Sequence, residues 1–244
     1  MVRNPANTNI KLRNHASVRD APGQDYEGIL IAVTGSLQFD IVRDTTSPEF
    51  AAAMAIYLGA FPAAERHPVE TIRQRVADGR SQLHIARSAD QVAFMALLWP
   101  LADTDFILLD YLATAPRFRG GGIATRFMED MRARMTTQGK NLVMEVEDPA
   151  SGDNSEERRR RFELYRHMGA RRLEGVQYLL PPLQGSKPTD MILMLFPGLP
   201  RNVLGGDQVR HLITRIYAEL YGRGADDPLL ERPLAQIQPR IELV

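Results

Sequence analysis

Apolar positions change period several times along the chain, and each change marks an element. "LQFDIV" at 37–42 reads as a strand. It is followed by "SPEFAAAMAIYLGAF" at 47–61, with Ser47 as a helix N-cap, Pro48 at the first helical position and apolar residues at helical spacing. "HPVETIRQRVADG" at 67–79 predicts a second helix closed by Gly79. Two strands, "QLHIAR" and "VAFMALLW", come next, joined by the turn-like "SAD". An apolar run ending near Thr114 then breaks into a glycine-rich loop, and a helix follows to about Gly139. "NLVMEVE" is a strand, "SEERRRRFELYRHMG" a helix and "TDMILMLF" a strand. Strands followed by alternating helix and strand predict an α/β (α+β) fold. Its central sheet should be mixed, with helices on its faces.

The two ends differ from this middle. Residues 1 to about 28 are polar and aperiodic, and the whole of 1–36 is expected to be a largely flexible N-terminal extension with a short strand at "ILIAV". In the tail, 198–244, the segment "DQVRHLITRIYAELYG" puts Val209, Leu212, Ile213, Ile216, Tyr217 and Leu220 on one helical stripe. Asp207 can cap its start and Gly222 its end. Such a stripe packs on the domain, here 37–197, or on a second subunit as in a homodimer.

Composition narrows the chemistry. The 244 residues carry 30 basic and 30 acidic side chains, so no global field points to a nucleic acid or an anionic membrane. Cysteine is absent, which removes disulfides, thiolate metal sites and a thiol nucleophile. His84 and His211 have no metal-ligand spacing, and no metal is expected. With no stretch long enough to span a bilayer and no apolar signal core, the reading is a soluble, cytoplasmic protein.

The segment "LLDYLATAPRFRGGGIATRFMEDM" at 108–131 raises the sharpest question, because Gly120, Gly121 and Gly122 sit at a helix mouth where each costs about 1 kcal/mol relative to alanine. A strand breaking into such a loop before a helix makes an anion site. The first helical amides have no intrahelical partner, and bare glycines let a phosphate approach them. The Gly-Lys-Ser/Thr ending of a P-loop is absent, and the dinucleotide spacing of a Rossmann turn fits poorly.

Arg117-Phe118-Arg119-Gly120-Gly121-Gly122 resembles the acyl-CoA motif of the GNAT acyltransferase superfamily, Gln/Arg-x-x-Gly-x-Gly/Ala. Leu164-Tyr165-Arg166-His167-Met168-Gly169 resembles a second family pattern, an aromatic-Tyr-x-x-x-Gly helix end. The likeness extends over about 37–197 in element order. It implies the acyl-CoA N-acyltransferase fold, whose central sheet is mixed and mostly antiparallel with helices on both faces, and acetyl-CoA or another acyl-CoA as co-substrate. Carried over by position, Arg117, Arg119, Gly120, Gly121, Gly122, Ile123, Ala124 and Thr125 would hold the diphosphate, and Leu112, Ala113 and Thr114 would line the pantetheine arm. Tyr165 would return a proton to the departing thiolate; its plainer reading is a core aromatic. The family often has an asparagine two turns before this tyrosine, where this chain has Arg158, and Asn154 lies too far upstream.

An alkyl amine acceptor with a pKa near 10.4 is neutral in only about one molecule in a thousand at pH 7, so a carboxylate base is expected. Candidates are Asp110, set among leucines, and Glu145 and Glu147, which alternation places on one face of their strand. Each is equally readable as a structural acid. In "FPAAERHP", Glu65, Arg66 and His67 are candidates for acceptor recognition or members of an ordinary polar loop. The run "RRRR" reads as a solvated face, with Glu156 and Glu157 four residues before Arg160 and Arg161. A less favoured role is an arginine on a CoA phosphate or an acidic acceptor. The function expected is acyl transfer from CoA to a primary amine of a small molecule or peptide, by direct attack in a ternary complex. The alternative is a non-catalytic acyl-CoA-binding regulatory module.

Overall fold

The computed structural model describes residues 37–61, 63–88, 90–151, 155–183, 187–197 and 201–244. The N-terminal extension, the "ILIAV" strand and Asn154 lie outside them. The chain divides into two compact units: one runs up to Leu97 and adds Tyr111–Phe127, and the other comprises Leu98–Asp110 and Met128–Val244.

In the first unit, β1 (Phe39–Val42) pairs antiparallel with β2 (Gln82–Ser88), Phe39 opposite Ala86. Between them lie α1 (Pro48–Ala60) and α2 (Val69–Ala77). The predicted cap is present: the Ser47 hydroxyl accepts from the Phe50 amide at 3.2 Å, with Pro48 behind it. Strands β3 (Gln91–Pro100) and β4 (Phe106–Thr114) and helix α3 (Ile123–Gln138) each contribute residues to both units. This unit's core joins Phe50, Met54 and Tyr57 of α1 to Leu83, Ile85, Met95 and Tyr111 of the strands.

In the second unit, β4 pairs in parallel with β5 (Asn141–Glu147), which pairs antiparallel with β8 (Thr189–Phe196). Two short strands, β6 (Arg171–Arg172) and β7 (Tyr178–Leu180), also lie on β8 and were not evident from the sequence. The strand order is β1-β2-β3-β4 in the first unit and β4-β5-β8-β6 in the second. The sheet is mixed and mostly antiparallel, with flanking helices, as the pattern and the family resemblance predict. Every residue of β4 and β5 is buried, so their near-continuous apolar sequence follows from burial of both faces. Asp110, Glu145 and Glu147 are therefore buried by position.

Helix α4 (Ser155–His167) precedes β6, and the tail forms α5 (Gly206–Tyr221) and α6 (Pro228–Gln236). The α5 stripe enters the second unit's core with Trp99, Leu108, Val143, Leu193 and Leu195. Gly222 closes α5 with φ +62°, but the N-cap is Gly205 rather than Asp207. Asp207 instead pairs with Arg210 at 2.8 Å in the first turn. Strands β9 (Val203–Gly205) and β10 (Arg240–Glu242) form a two-stranded ladder. Leu243 bridges to Leu173, and the amide of Arg172 donates to the Val244 carbonyl at 2.7 Å. No helix among the described residues is long and apolar enough to cross a membrane.

Candidate functional site

The glycine-rich loop belongs to the first unit. Beyond Thr114 the chain makes a 3-10 turn at Pro116–Phe118 that buries Phe118. The amide of Ala115 reaches back to the Ala93 carbonyl at 2.8 Å, fixing where β4 ends. Gly120 and Gly122 then take φ of +78° and +72°, a region that side-chain-bearing residues avoid. A Cβ at either position would meet nothing within 4 Å, so the space over the loop is open. The first intrahelical bond of α3 is from Arg126 to the Gly122 carbonyl at 3.0 Å. The amides of Ile123, Ala124 and Thr125 come before it and have no acceptor within the helix. This geometry fits a diphosphate: bare backbone, positive helix end and no Cβ in the way.

The other expected contacts of this segment are distributed unevenly. Leu112, Ala113 and Thr114 are buried at the end of β4, whereas Thr125 is exposed. Burial lowers the pKa of Arg119, whose Nε donates to the Thr114 carbonyl at 3.4 Å. Arg117 donates to the Gln91 side chain and lies over the Phe118 ring at 4.8 Å.

Also in the first unit is the loop carrying Glu65, Arg66 and His67. Arg66 donates to the carbonyls of Leu58 at 2.7 Å and Phe61 at 3.0 Å, so its guanidinium closes the C-terminal end of α1. Glu65 and His67 are buried. Their backbone is tied down by two phenols: Tyr57 donates to the His67 carbonyl at 3.1 Å and Tyr111 to the Glu65 carbonyl at 3.2 Å. The two rings meet edge to face at 4.8 Å.

The second unit holds the remaining candidates. Glu147 and Arg158 are each 2% exposed and meet at 3.1 Å, and Arg161 bonds the other oxygen of Glu147. This corrects the reading of "RRRR" as a solvated face. Arg158 and Arg161 point inward to Glu147, while Arg159 and Arg160 are exposed. The expected helical pairs are present as well, Glu156 with Arg160 and Glu157 with Arg161. Arg158 thus ties α4 to β5.

Glu145 is equally buried but has different partners. It accepts from the Tyr178 hydroxyl, and the Tyr221 hydroxyl lies 2.8 Å and 3.0 Å from its two oxygens. Burial, and next the charge on Glu145, push the Tyr178 phenol well above its ordinary pKa. Asp110 is buried in β4. Tyr165 is wholly buried in α4, and its hydroxyl has no hydrogen-bond partner among the described residues. Burial raises its pKa and the nearby Arg161 opposes the rise, so the phenol holds its proton.

Sequence reasoning missed Tyr178 and Tyr221 as partners of the acidic strand. Tyr221 directly follows the recognised α5 stripe, which marked a packing face and gave no sign of a polar function. Among the described residues no group of three or more His, Asp or Glu side chains could hold a metal ion.

No family model and no curated protein matches the sequence. Solved structures do. A GNAT-family acetyltransferase from Bacteroides thetaiotaomicron superposes with a TM-score of 0.64 at 21% identity, covering 76% of this chain and 99% of its own. An aminoglycoside 6'-N-acetyltransferase complexed with coenzyme A gives 0.52 at 14% identity, over 67% of this chain and 98% of its own. At such identities the likeness is one of architecture, and it agrees with the strand-loop-helix at Gly120–Gly122: the chain has the fold of the GNAT acetyltransferases.

Proposed function

We propose that the protein is an acyl-CoA-dependent N-acyltransferase that moves an acetyl or longer acyl group to a primary amine of a small molecule or peptide. The observation that carries this reading is the loop at Gly120–Gly122, with Gly120 and Gly122 at positive φ and open space over both, directly before α3. A neighbour of the same fold is described as an N-acetyltransferase complexed with coenzyme A, which supports the same donor here. Acyl-CoA supplies the activated carbonyl. The chain's own residues supply the rest. The amides from Arg119 to Thr125 hold the diphosphate, and Leu112, Ala113 and Thr114 line the pantetheine arm. Tyr165 is the proton donor to the thiolate, a phenol placed on α4 ahead of Gly169.

Of the two carboxylates on β5, Glu145 is the better base. Glu147 is neutralised by two guanidinium groups, and an ion-paired carboxylate is a poor proton acceptor. Incubation with acetyl-CoA and a panel of amines tests the reading, with free thiol as the readout. Amine-dependent thiol release that falls in Tyr165→Phe supports the enzyme. Binding of acetyl-CoA without thiol release supports the second reading, a regulatory binding module, which the commitment of Glu147 to structural ion pairs favours.

A further inference from the structure

We propose that Tyr221, the last residue of α5, is the positioning residue for Glu145 and the group through which that buried carboxyl exchanges its proton with solvent. The inference rests on the acyltransferase reading, in which Glu145 takes the acceptor's proton. Glu145 is 2% exposed, and both of its oxygens lie within hydrogen-bond distance of one hydroxyl, that of Tyr221. A second phenol partner, Tyr178, is also 2% exposed, whereas Tyr221 is partly exposed. A hydroxyl has one hydrogen and two lone pairs. Facing the carboxylate, Tyr221 donates. Once Glu145 holds a proton, the carboxyl donates to the same phenol oxygen, and the phenol hydrogen turns outward. The acceptor nitrogen keeps its electron pair, and its proton is stored at Glu145.

The helix is built to hold this residue in place. Tyr217, one turn earlier, donates to the Leu179 carbonyl of β7. Its ring stands edge-on to Tyr178 at 6.0 Å and to Tyr221 at 5.8 Å. Glu219 anchors the same turn to Trp99 at 2.7 Å. Titratable groups facing Glu145 include Tyr178 from β7 and Tyr217 and Tyr221 from α5. Two positions along β5 stands Glu147, with Arg158 and Arg161 of α4, and beyond Tyr217 lie Arg223 and Asp227. None of these replaces the Tyr221 hydroxyl as a donor shared between the two oxygens.

The test is a titration of the Glu145 carboxyl carbon by NMR in protein labelled with 13C-glutamate, the signal being assigned with Glu145→Gln. The pH profile of kcat/KM for the amine is measured beside it. A lost donor to the charged form raises a carboxyl pKa. Tyr221→Phe is therefore expected to move the midpoint and the acid limb upward together by about one pH unit, with acetyl-CoA affinity by calorimetry unchanged. Tyr217→Phe, whose hydroxyl bonds a carbonyl instead, is expected to lower the melting temperature while leaving the limb in place. If Tyr221→Phe does not fold, Tyr221→3-fluorotyrosine takes its place: a stronger donor of nearly equal size, it is expected to lower the midpoint. A midpoint and limb that stay put in an active enzyme overturn the role of Tyr221 alone. A folded wild-type protein that binds acetyl-CoA but acylates no amine overturns the acyltransferase reading, and the role of Glu145 with it.

Discussion

The carboxylate of Glu219 accepts a hydrogen bond from the indole of Trp99 at 2.7 Å, and its other oxygen accepts from the Ala102 amide at 3.0 Å. A single side chain of α5 thus secures the end of β3, and Arg215 at 2.7 Å holds that side chain in turn. Trp99 is buried, so loss of the Glu219 acceptor removes a hydrogen bond to a charged group, at a cost of about 1–3 kcal/mol. Glu219→Ala should lower the unfolding free energy by about that amount in urea titration. Glu219→Gln, which keeps an acceptor oxygen, should recover part of the loss.

Tyr165 should show opposite effects on stability and activity. Its hydroxyl is buried without a partner, and such a group is costly to keep. Tyr165→Phe removes the oxygen and keeps the packing, so the melting temperature should hold or rise. Thiol release should fall by about a hundredfold, the scale of a lost general acid. A mutant that is less stable than wild type and equally active would refute the role.

The glycine loop can be separated into strain and ligand effects. Gly122→Ala places a Cβ at φ +72°, which costs about 1–2 kcal/mol, and it fills the open space over the α3 amides. Gly139→Ala, at φ +63° beyond the far end of the same helix, carries similar strain. Both should melt earlier. Calorimetry with CoA should show weaker binding, by tenfold or more, for Gly122→Ala alone.

The buried phenols predict how the protein unfolds in alkali. Burial raises the pKa of Tyr165, Tyr178 and Tyr217 above the reference value of 10.0. Below pH 10 both folded and unfolded chains keep these protons, and the stability is intact. Above it the unfolded chain releases protons that the folded chain retains, so stability falls as pH rises. Each phenol contributes a slope of up to about 1.4 kcal/mol per pH unit. Urea titrations from pH 9 to 11.5, with phenolate absorbance as a second probe, should show stability lost as ionisation appears. Ionisation of all tyrosines while the fold persists would contradict this burial.

Several local signals in the sequence read true, although Asp207 did not cap α5. Ser47 and Pro48 announced α1, and the glycine run after β4 announced the N-terminus of α3. Shorter elements were out of reach, because β6 and β7 have two and three residues and exist through pairing with β8. Helix α6 did carry a legible signal: Asp227 caps it by accepting from the Leu229 amide at 2.8 Å, with Pro228 next. Pro233 inside it obscured the period. The arginine run shows the same limit for the site. Nothing local to "RRRR" says which guanidinium groups turn inward, because their partner, Glu147, lies on another element. Glu145 could be singled out by alternation on β5, while its partners Tyr178 and Tyr221 come from segments far along the chain.

Residues 240–244 finish a border. Val244 and Arg172 bond each other through both backbone groups, and β10 covers β9 from Arg240 to Glu242. A molecule clipped ahead of Arg240 would present β9 with a row of unanswered amides and carbonyls. Another copy shortened in the same way could satisfy them, so deleting Arg240–Val244 should make copies clump together well before the fold itself gives way.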